Sequence, residues 1–302
     1  MKMKKYNLKA TLEAVLKATC LGGLFLYGSQ TWAQTISENS PITEPSKQIN
    51  RLTSHSTLFG IGRINVLDTY LSPFEYEGLQ GNVVFEKFRP THWCDGRITT
   101  QQKTEAHVGY SKNATQTANM LSATLSYKLA WHYSWTVVSS LKLFAGGGIQ
   151  VAGGGIYNMR NGNNPAQALA RTALYASGIA SYPFHIKKQP FQLRYQIDMP
   201  LCGAMFSPNY NQSYYEIFTL GNYDHNVRFT HPGNAPVFYQ TVTLDFPVKG
   251  FTFRLGYGCD MEQSNVNGIK NHIYKHSFLI GYVKDFYFVK RKEVTKKTVP
   301  NF

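Results

Sequence analysis

Between Phe238 and Val248 the even positions run Phe238, Gln240, Val242, Leu244, Phe246 and Val248, and the odd ones Tyr239, Thr241, Thr243, Asp245 and Pro247. Lys249-Gly250 turns the chain, and the odd positions then carry Phe251, Phe253, Leu255, Tyr257, Cys259 and Met261 against Thr252, Arg254, Gly256, Gly258, Asp260 and Glu262. Successive side chains of a strand point to opposite faces, so this is a hairpin with one aromatic, apolar face and one polar, charged face. Such a hairpin fits a half-buried soluble sheet or a membrane barrel with its apolar face to lipid.

The same period extends along the chain and predicts ten strands. They cover about Leu58–Tyr70, Leu79–Arg89, Ile98–Ser111, Met120–Trp131, Thr136–Ile156, Ala168–Phe184, Phe191–Phe206, the two strands of the hairpin, and His272–Phe288. The fourth puts Leu121, Ala123, Leu125, Tyr127, Leu129 and Trp131 on one face, and the seventh alternates most cleanly, from Phe191 to Leu201. The connections sort into two series. Pro90–Arg97, His132–Trp135, His185–Pro190 and Lys249-Gly250 are mostly short; Leu71–Gly78, Lys112–Thr117, Tyr157–Gln167, Ser207–Pro236 and Gln263–Asn271 are longer and richer in Asn, Gly and Tyr. Short turns on one side, long loops on the other and an even strand count describe an all-β, transmembrane antiparallel up-and-down barrel in an outer membrane, with both termini in the periplasm. Twelve strands result if Tyr214–Leu220 and Val227–Thr230 form a further hairpin. A secreted soluble β-sandwich or barrel explains the alternation but not the sorted loops.

Composition agrees. Aromatics make up 14% of the 302 residues, charged residues only 16%, and glycines number 25. Residues 1–33 carry Lys2, Lys4, Lys5 and Lys9, an apolar segment from Cys20 to Tyr27, and Thr31-Trp32-Ala33 before Gln34, which is the order of a secretory signal peptide. Residues 34–55 read as a disordered lead-in, 56–288 as the barrel domain and 289–302 as a basic periplasmic tail. Of the net charge of +14, four units fall in residues 1–33 and four in 289–302, so nucleic-acid binding is not indicated. Beyond Cys20, Cys94, Cys202 and Cys259 show no CxxC spacing and read as unpaired thiols.

The polar faces would line the lumen with Arg63, Glu86, Lys142, Arg194, Asp198, Asp245, Arg254, Asp260 and Glu262. Both signs in a narrow ten-stranded barrel suit a salt-bridged plug better than a selective channel. The unusual loop segments supply binding candidates in Tyr70, Tyr76, Asn163, Asn164, Tyr210, Tyr214, Tyr215 and Glu216, aromatic and polar groups suited to sugars or lipid headgroups. A hydrolase at the outer rim would draw on Asp68, Ser72, Ser207, Ser213, His231 and Asp260, although nothing in the sequence fixes their geometry. His132-Tyr133-Ser134 has a His-x-Ser spacing but falls in a predicted turn. His92-Trp93-Cys94-Asp95 offers too few ligands for a metal site. The runs Gly146–Gly148 and Gly153–Gly155 precede no helix, and they read as points of strand bending and close packing. No cofactor or metal is expected. The expected partners are outer-membrane lipids and lipopolysaccharide, and the barrel-assembly machinery.

Asp68–Pro73 with Tyr76-x-Gly78, Asn161–Pro165, Phe206–Phe218 (FSPNYNQSYYEIF), Leu220-Gly221-Asn222 and Arg254-x-Gly256-Tyr257 together resemble an uncharacterised Bacteroidota family, domain of unknown function 3316. The resemblance spans about Leu58 to Phe288 and implies an exported, barrel-like protein. It brings no activity, so no catalytic residue follows from it.

Overall fold

The computed structural model describes residues 52–138, 141–162, 164–187, 189–248 and 251–287. The expected signal peptide, the tail at 289–302 and Asn163 lie outside them. The strands are β1 (Leu52–Asp68), β2 (Ser72–Pro90), β3 (Ile98–Asn113), β4 (Asn119–Val138), β5 (Leu141–Asn158), β6 (Ala166–Ile186), β7 (Gln189–Phe206), β8 (Val227–Thr230), β9 (Val237–Val248), β10 (Phe251–Val266) and β11 (Ile269–Tyr287). One short helix, α1 (Tyr214–Phe218), lies between β7 and β8.

Consecutive strands pair antiparallel, except β8 and β9. β7 passes over β8 to pair with β9, and β11 closes on β1, from Leu52↔Tyr287 to Asp68↔Asn271. The result is a closed ring of ten strands. β8 pairs only with the last four residues of β7 and stands outside the ring. The twelve-strand alternative is therefore corrected: Tyr214–Phe218 is helical, because Ser213 and Glu216 form a reciprocal capping box there.

The alternation assigns the two faces. On β11, Phe278 is 72% exposed and the adjacent Leu279 6%. Outward positions are apolar on most strands, including Phe59 and Ile61 on β1, Leu125 and Trp131 on β4, Ile149 and Val151 on β5, and Leu255 and Tyr257 on β10. Near one end the outward rings of Tyr182, Phe184, Phe191, Phe246 and Phe253 form a continuous stacked series with centroids 5.5–6.5 Å apart. That is the arrangement of an aromatic girdle at a membrane interface.

The ten ring strands run 12 to 21 residues, and all but β5 are longer than expected. His132-Tyr133-Ser134 consequently lies inside β4, not in a turn, and β4 continues to Val138. At this turn end the connections are 91–97, 139–140, 187–188 and 249–250. At the other end they are 69–71, 114–118, 159–165, 207–236 and Asn267-Gly268. The loop series is thus less uniform than expected, and most of its length sits in 207–236. Asn267 and Gly268 both have positive φ, the requirement of a type I′ hairpin turn. Gly146 and Gly148 are forced: a Cβ at either would lie 1.9 Å from the carbonyl oxygen of Trp131 or Leu129 on β4.

Candidate functional site

The lumen is filled in layers. Beneath 207–236, which we term the lid, Ile64, Val66, Leu71, Tyr76, Ala118, Met120, Ile156 and Ile273 form an apolar cluster. Deeper lies an ionic layer. Lys275 Nζ is 2.8 Å from Glu262 and 3.5 Å from Asp260, Arg171 is 2.6 Å from Glu262, Lys103 is 3.3 Å from Glu105, and Lys128 is 2.9 Å from Asp198. Toward the turn end Glu86 sits between Arg194, at 2.7 Å, and Arg254, at 3.0 Å, while Arg254 also meets Asp245 at 2.6 Å. Six cations thus face six carboxylates. Two small cavities among these residues hold about 30 and 40 Å³, room for about one water each. This is the salt-bridged plug that the mixed charges suggest.

Two lumen assignments change. Arg63 is on the outward face with Phe59 and Ile61, because the lumen positions of β1 here are the apolar Ile64 and Val66. Asp260, also named as a rim nucleophile partner, belongs to the ionic layer. Lys142 keeps its lumen parity but stands exposed at the turn-end mouth. The plug residues that were missed are Lys103, Glu105, His107, Lys128, Arg171 and Lys275.

Glu105, His107 and Asp260 bring ligand atoms within 4.8 Å of one another. Both His107 nitrogens face acceptors, Gln80 Oε1 at 3.2 Å and Glu105 Oε1 at 3.1 Å, and Lys103 and Lys275 already neutralise the two carboxylates. The group is an ion-pair network in which a dication would have to displace two ammonium groups. His132 Nε2 lies 2.9 Å from Ser177 Oγ, which donates to Asp198 Oδ1 at 2.7 Å. Here the serine sits between histidine and aspartate. A nucleophilic relay needs the histidine in the middle.

The rim candidates are each engaged locally. Asp68 is buried, accepting from the Tyr70 N–H at 3.0 Å and from Asn271 Nδ2 at 2.9 Å. Ser72 Oγ accepts from the Phe74 N–H and the Tyr76 hydroxyl, and Ser207 Oγ donates to the Pro208 carbonyl. Ser213 caps α1, and His231 Nδ1 accepts the Gly233 N–H at 3.0 Å. The six residues do not converge on a serine, histidine and carboxylate in contact.

The lid is held by its own amides and tyrosines and by those of the neighbouring loops and strand ends. Tyr70 donates to the Gln212 carbonyl at 2.8 Å, Tyr214 joins Gln167 Oε1 and the Ala168 N–H, and Asn267 donates to the Ser207 and His225 carbonyls. Asn226 donates to Gln212 Oε1 at 2.7 Å, and Ile217 is fully buried beneath the lid. Burial pushes the phenols of Tyr70 and Tyr214 up to about 12, so both remain neutral donors. The Glu216 carboxyl is held below its ordinary range by the Ser213 N–H and then the Ser213 hydroxyl. FSPNYNQSYYEIF is therefore mainly a lid-building segment. Of the binding candidates, Tyr76 is buried, Tyr70 and Tyr214 are structural, Glu216 caps α1, and Asn164 donates its N–H to Asn161 at 3.4 Å. Tyr210 and Tyr215 are exposed, joined by Phe218, Leu220, Tyr223, Val227 and Phe229, which were missed.

A family profile for proteins of unknown function, DUF3316, matches residues 17–293. The chain belongs to that family. The match starts earlier and ends later than the Leu58–Phe288 of the resemblance. Among curated proteins none matches the chain. Solved structures similar to it include the outer membrane protease OmpT from Escherichia coli, with 10% identity over 81% of this chain and 99% of that one, at a TM-score of 0.42. The beta domain of the Bordetella autotransporter BrkA has 9% identity over 78% and 99%, at 0.41, and the Neisserial surface protein A 8% over 77% and 97%, at 0.33. In this DUF3316 chain most of the motif pieces that carry the family resemblance meet at one end of the barrel, with Arg254-x-Gly256-Tyr257 lying apart toward the turn end: Asp68–Pro73, Asn161 and the lid form a single hydrogen-bonded assembly, in which Asn161 Nδ2 donates to the Leu71 carbonyl at 3.3 Å.

Proposed function

We propose that the protein is exported by its first 33 residues and inserted by the barrel-assembly machinery into the outer membrane of a Gram-negative bacterium, of the Bacteroidota as the family resemblance implies. There it has a structural or surface-binding role through the lid. The observation that carries this reading is the division of chemistry across the wall: apolar and aromatic outward, self-neutralised inward. A wall of that kind is stable against lipid. A lumen whose charges are already paired has little polar chemistry left to offer a solute. β1 begins and β11 ends at the turn end; in this reading that end is the periplasmic one and the lid is the outer face. The exposed Tyr210, Tyr215 and Tyr223 then supply amphipathic rings to a sugar or headgroup surface.

The test is expression of the full-length gene in a Gram-negative host, separation of the outer membrane, and electrophoresis of boiled and unboiled samples. Recovery in the outer membrane with a mobility shift on boiling is expected, together with cleavage inside 207–236 when intact cells meet an external protease. Soluble periplasmic or secreted protein without a shift would sink the membrane reading. A folded barrel whose lid resists protease on intact cells but is cut in opened ones would reverse the orientation and remove the surface role.

A further inference from the structure

On β1 a charged side chain interrupts the apolar wall. Arg63 faces outward from β1, exposed, with no hydrogen bond or ion pair among the described residues. Its row across the sheet runs through Leu79, Tyr110, Leu121 and Tyr157 in one direction and through His276, Cys259, Gln240 and Ile197 in the other. The guanidinium therefore has Leu79 and His276 as its outward-facing neighbours on the adjacent strands. An ionised side chain on a lipid-facing wall is costly unless a partner accompanies it, and such a residue marks a functional site by default.

The surroundings indicate the partner. Arg63 lines an open outward groove of about 460 Å³ with Asn65, Glu77, Leu79, Tyr274 and His276. Asn65 Nδ2 donates to Glu77 Oε1 at 3.3 Å, and the Tyr274 ring is stacked on His272 with centroids 4.5 Å apart and planes 4° apart. This is one unpaired cation beside a carboxylate, an amide and a flat aromatic pair, above an apolar floor. A plain phosphodiester would use the arginine and meet the Glu77 carboxylate unfavourably. A sugar carrying a phosphate uses all of them: the guanidinium forks onto phosphate oxygens, while amide and carboxylate take hydroxyls.

We propose that this groove seats the phosphorylated sugar headgroup of an outer-leaflet glycolipid, with Arg63 on the phosphate and Asn65, Glu77 and Tyr274 on the sugar. The site lies in the half of the wall nearer the lid, where outer-leaflet headgroups reach, and so it rests on the membrane reading and orientation given above.

The experiment uses the full chain, folded in detergent and checked first by its shift on boiling. Binding is measured by native mass spectrometry with bisphosphorylated lipid A, the same lipid dephosphorylated, and phosphatidylglycerol. The parent protein is expected to hold the bisphosphorylated form about tenfold more tightly than either other lipid. Arg63→Gln should lose that preference, Arg63→Lys should keep part of it, and Arg89→Gln, outward-facing at the turn end, should leave it unchanged. A folded Arg63→Gln barrel that discriminates as the parent does would overturn the site alone. So would parent protein that binds phosphatidylglycerol or the dephosphorylated lipid equally well. Protein that never shows a heat shift removes the barrel reading and the site with it.

Discussion

Replacing Glu86 by Gln tests whether the plug is an energetic unit. Glu86 accepts from both guanidinium nitrogens of Arg194, at 2.7 and 3.1 Å, from Arg254 at 3.0 Å, and from Gln101 and Ser56. Arg254 retains Asp245 through two bonds of 2.6 and 2.7 Å. Among the described residues Arg194 retains only Gln196 Oε1 and the face of Phe88, 5.1 Å away. The substitution preserves shape and leaves one buried cation without a carboxylate. Breaking a buried pair from one side costs about 3–5 kcal/mol. Arg194 also borders a cavity of about 500 Å³ at the turn-end mouth, through which water reaches it, so a loss near about 3 kcal/mol is expected. The double variant Glu86→Gln/Arg194→Gln removes the orphaned charge and should recover about 2 kcal/mol of that loss, a coupling that a double-mutant cycle reads directly. The assay is the urea concentration at which the unboiled, fast-migrating band is lost. An E86Q barrel within about 0.5 kcal/mol of the parent, the range of ordinary surface changes, refutes the reasoning, and so does a double variant weaker than both singles.

The remaining predictions concern other layers. Folded protein in planar bilayers should conduct no more than the bare bilayer, because the internal cavities hold only about 30 and 40 Å³; step conductances would contradict a closed plug. Gly148→Ala should abolish the heat shift, since its Cβ would sit 1.9 Å from the Leu129 carbonyl, whereas Gly81→Ala, whose nearest neighbour is 3.8 Å away, should fold normally. Ser213→Ala removes the acceptor of the Glu216 N–H and should weaken α1 by about 1 kcal/mol, read as faster nicking of the lid by protease. The lowered Glu216 carboxyl contributes fully above the ordinary glutamate value near about 4.3 and loses its contribution as pH falls through its own lower value. Nicking should therefore rise on acidification below about pH 4 and lose that dependence in Glu216→Gln.

The ring of strands was legible because its two faces differ chemically at nearly every level. Lipid-facing positions are apolar, lumen positions polar, and period two then finds both. β1 defeats the rule near its lid end. Ile64 and Val66 point into the lumen and Phe59 and Ile61 out of it, so both faces look apolar and Arg63 was assigned inward by its charge alone. The missed members of the plug were within reach. Lys103, Glu105 and His107 share the parity of the buried Gln101, and Lys128 that of the buried Ser122 and His132, so extending the alternation through β3 and β4 would have found them. The lid was not legible in that way. Its shape depends on long-range bonds such as Tyr70 to Gln212 and Asn267 to Ser207, which carry no local period. The Ser213-x-x-Glu216 capping box was readable and argued for a helix over Tyr214–Phe218 in place of a hairpin.

The plug also bears on where function can reside. A buried ion pair is weak evidence for added stability, since taking both charges out of water costs as much as their attraction returns. Apolar residues would fill a sealed lumen at least as well, yet six pairs are kept. An apolar lumen face would, however, make β2 or β10 apolar on both sides, and such a strand cannot distinguish lipid from lumen: a one-residue slip in register would turn it inside out without penalty. With Glu86, Arg254 and Glu262 on one face and Phe85, Leu255 and Met261 on the other, the slipped register would put charges into lipid. On this argument the ion pairs specify register, and specificity for partners is left to the lid and to the outward groove at Arg63. Exchanging Glu86, Arg194, Asp245 and Arg254 together for Leu, Met, Leu and Met, which leaves none of these charges without its partner, should therefore give a barrel that, once folded, is as resistant to urea as the parent but refolds with a smaller yield of heat-modifiable protein. Equal yield with equal resistance would mean that the charges do not set the register.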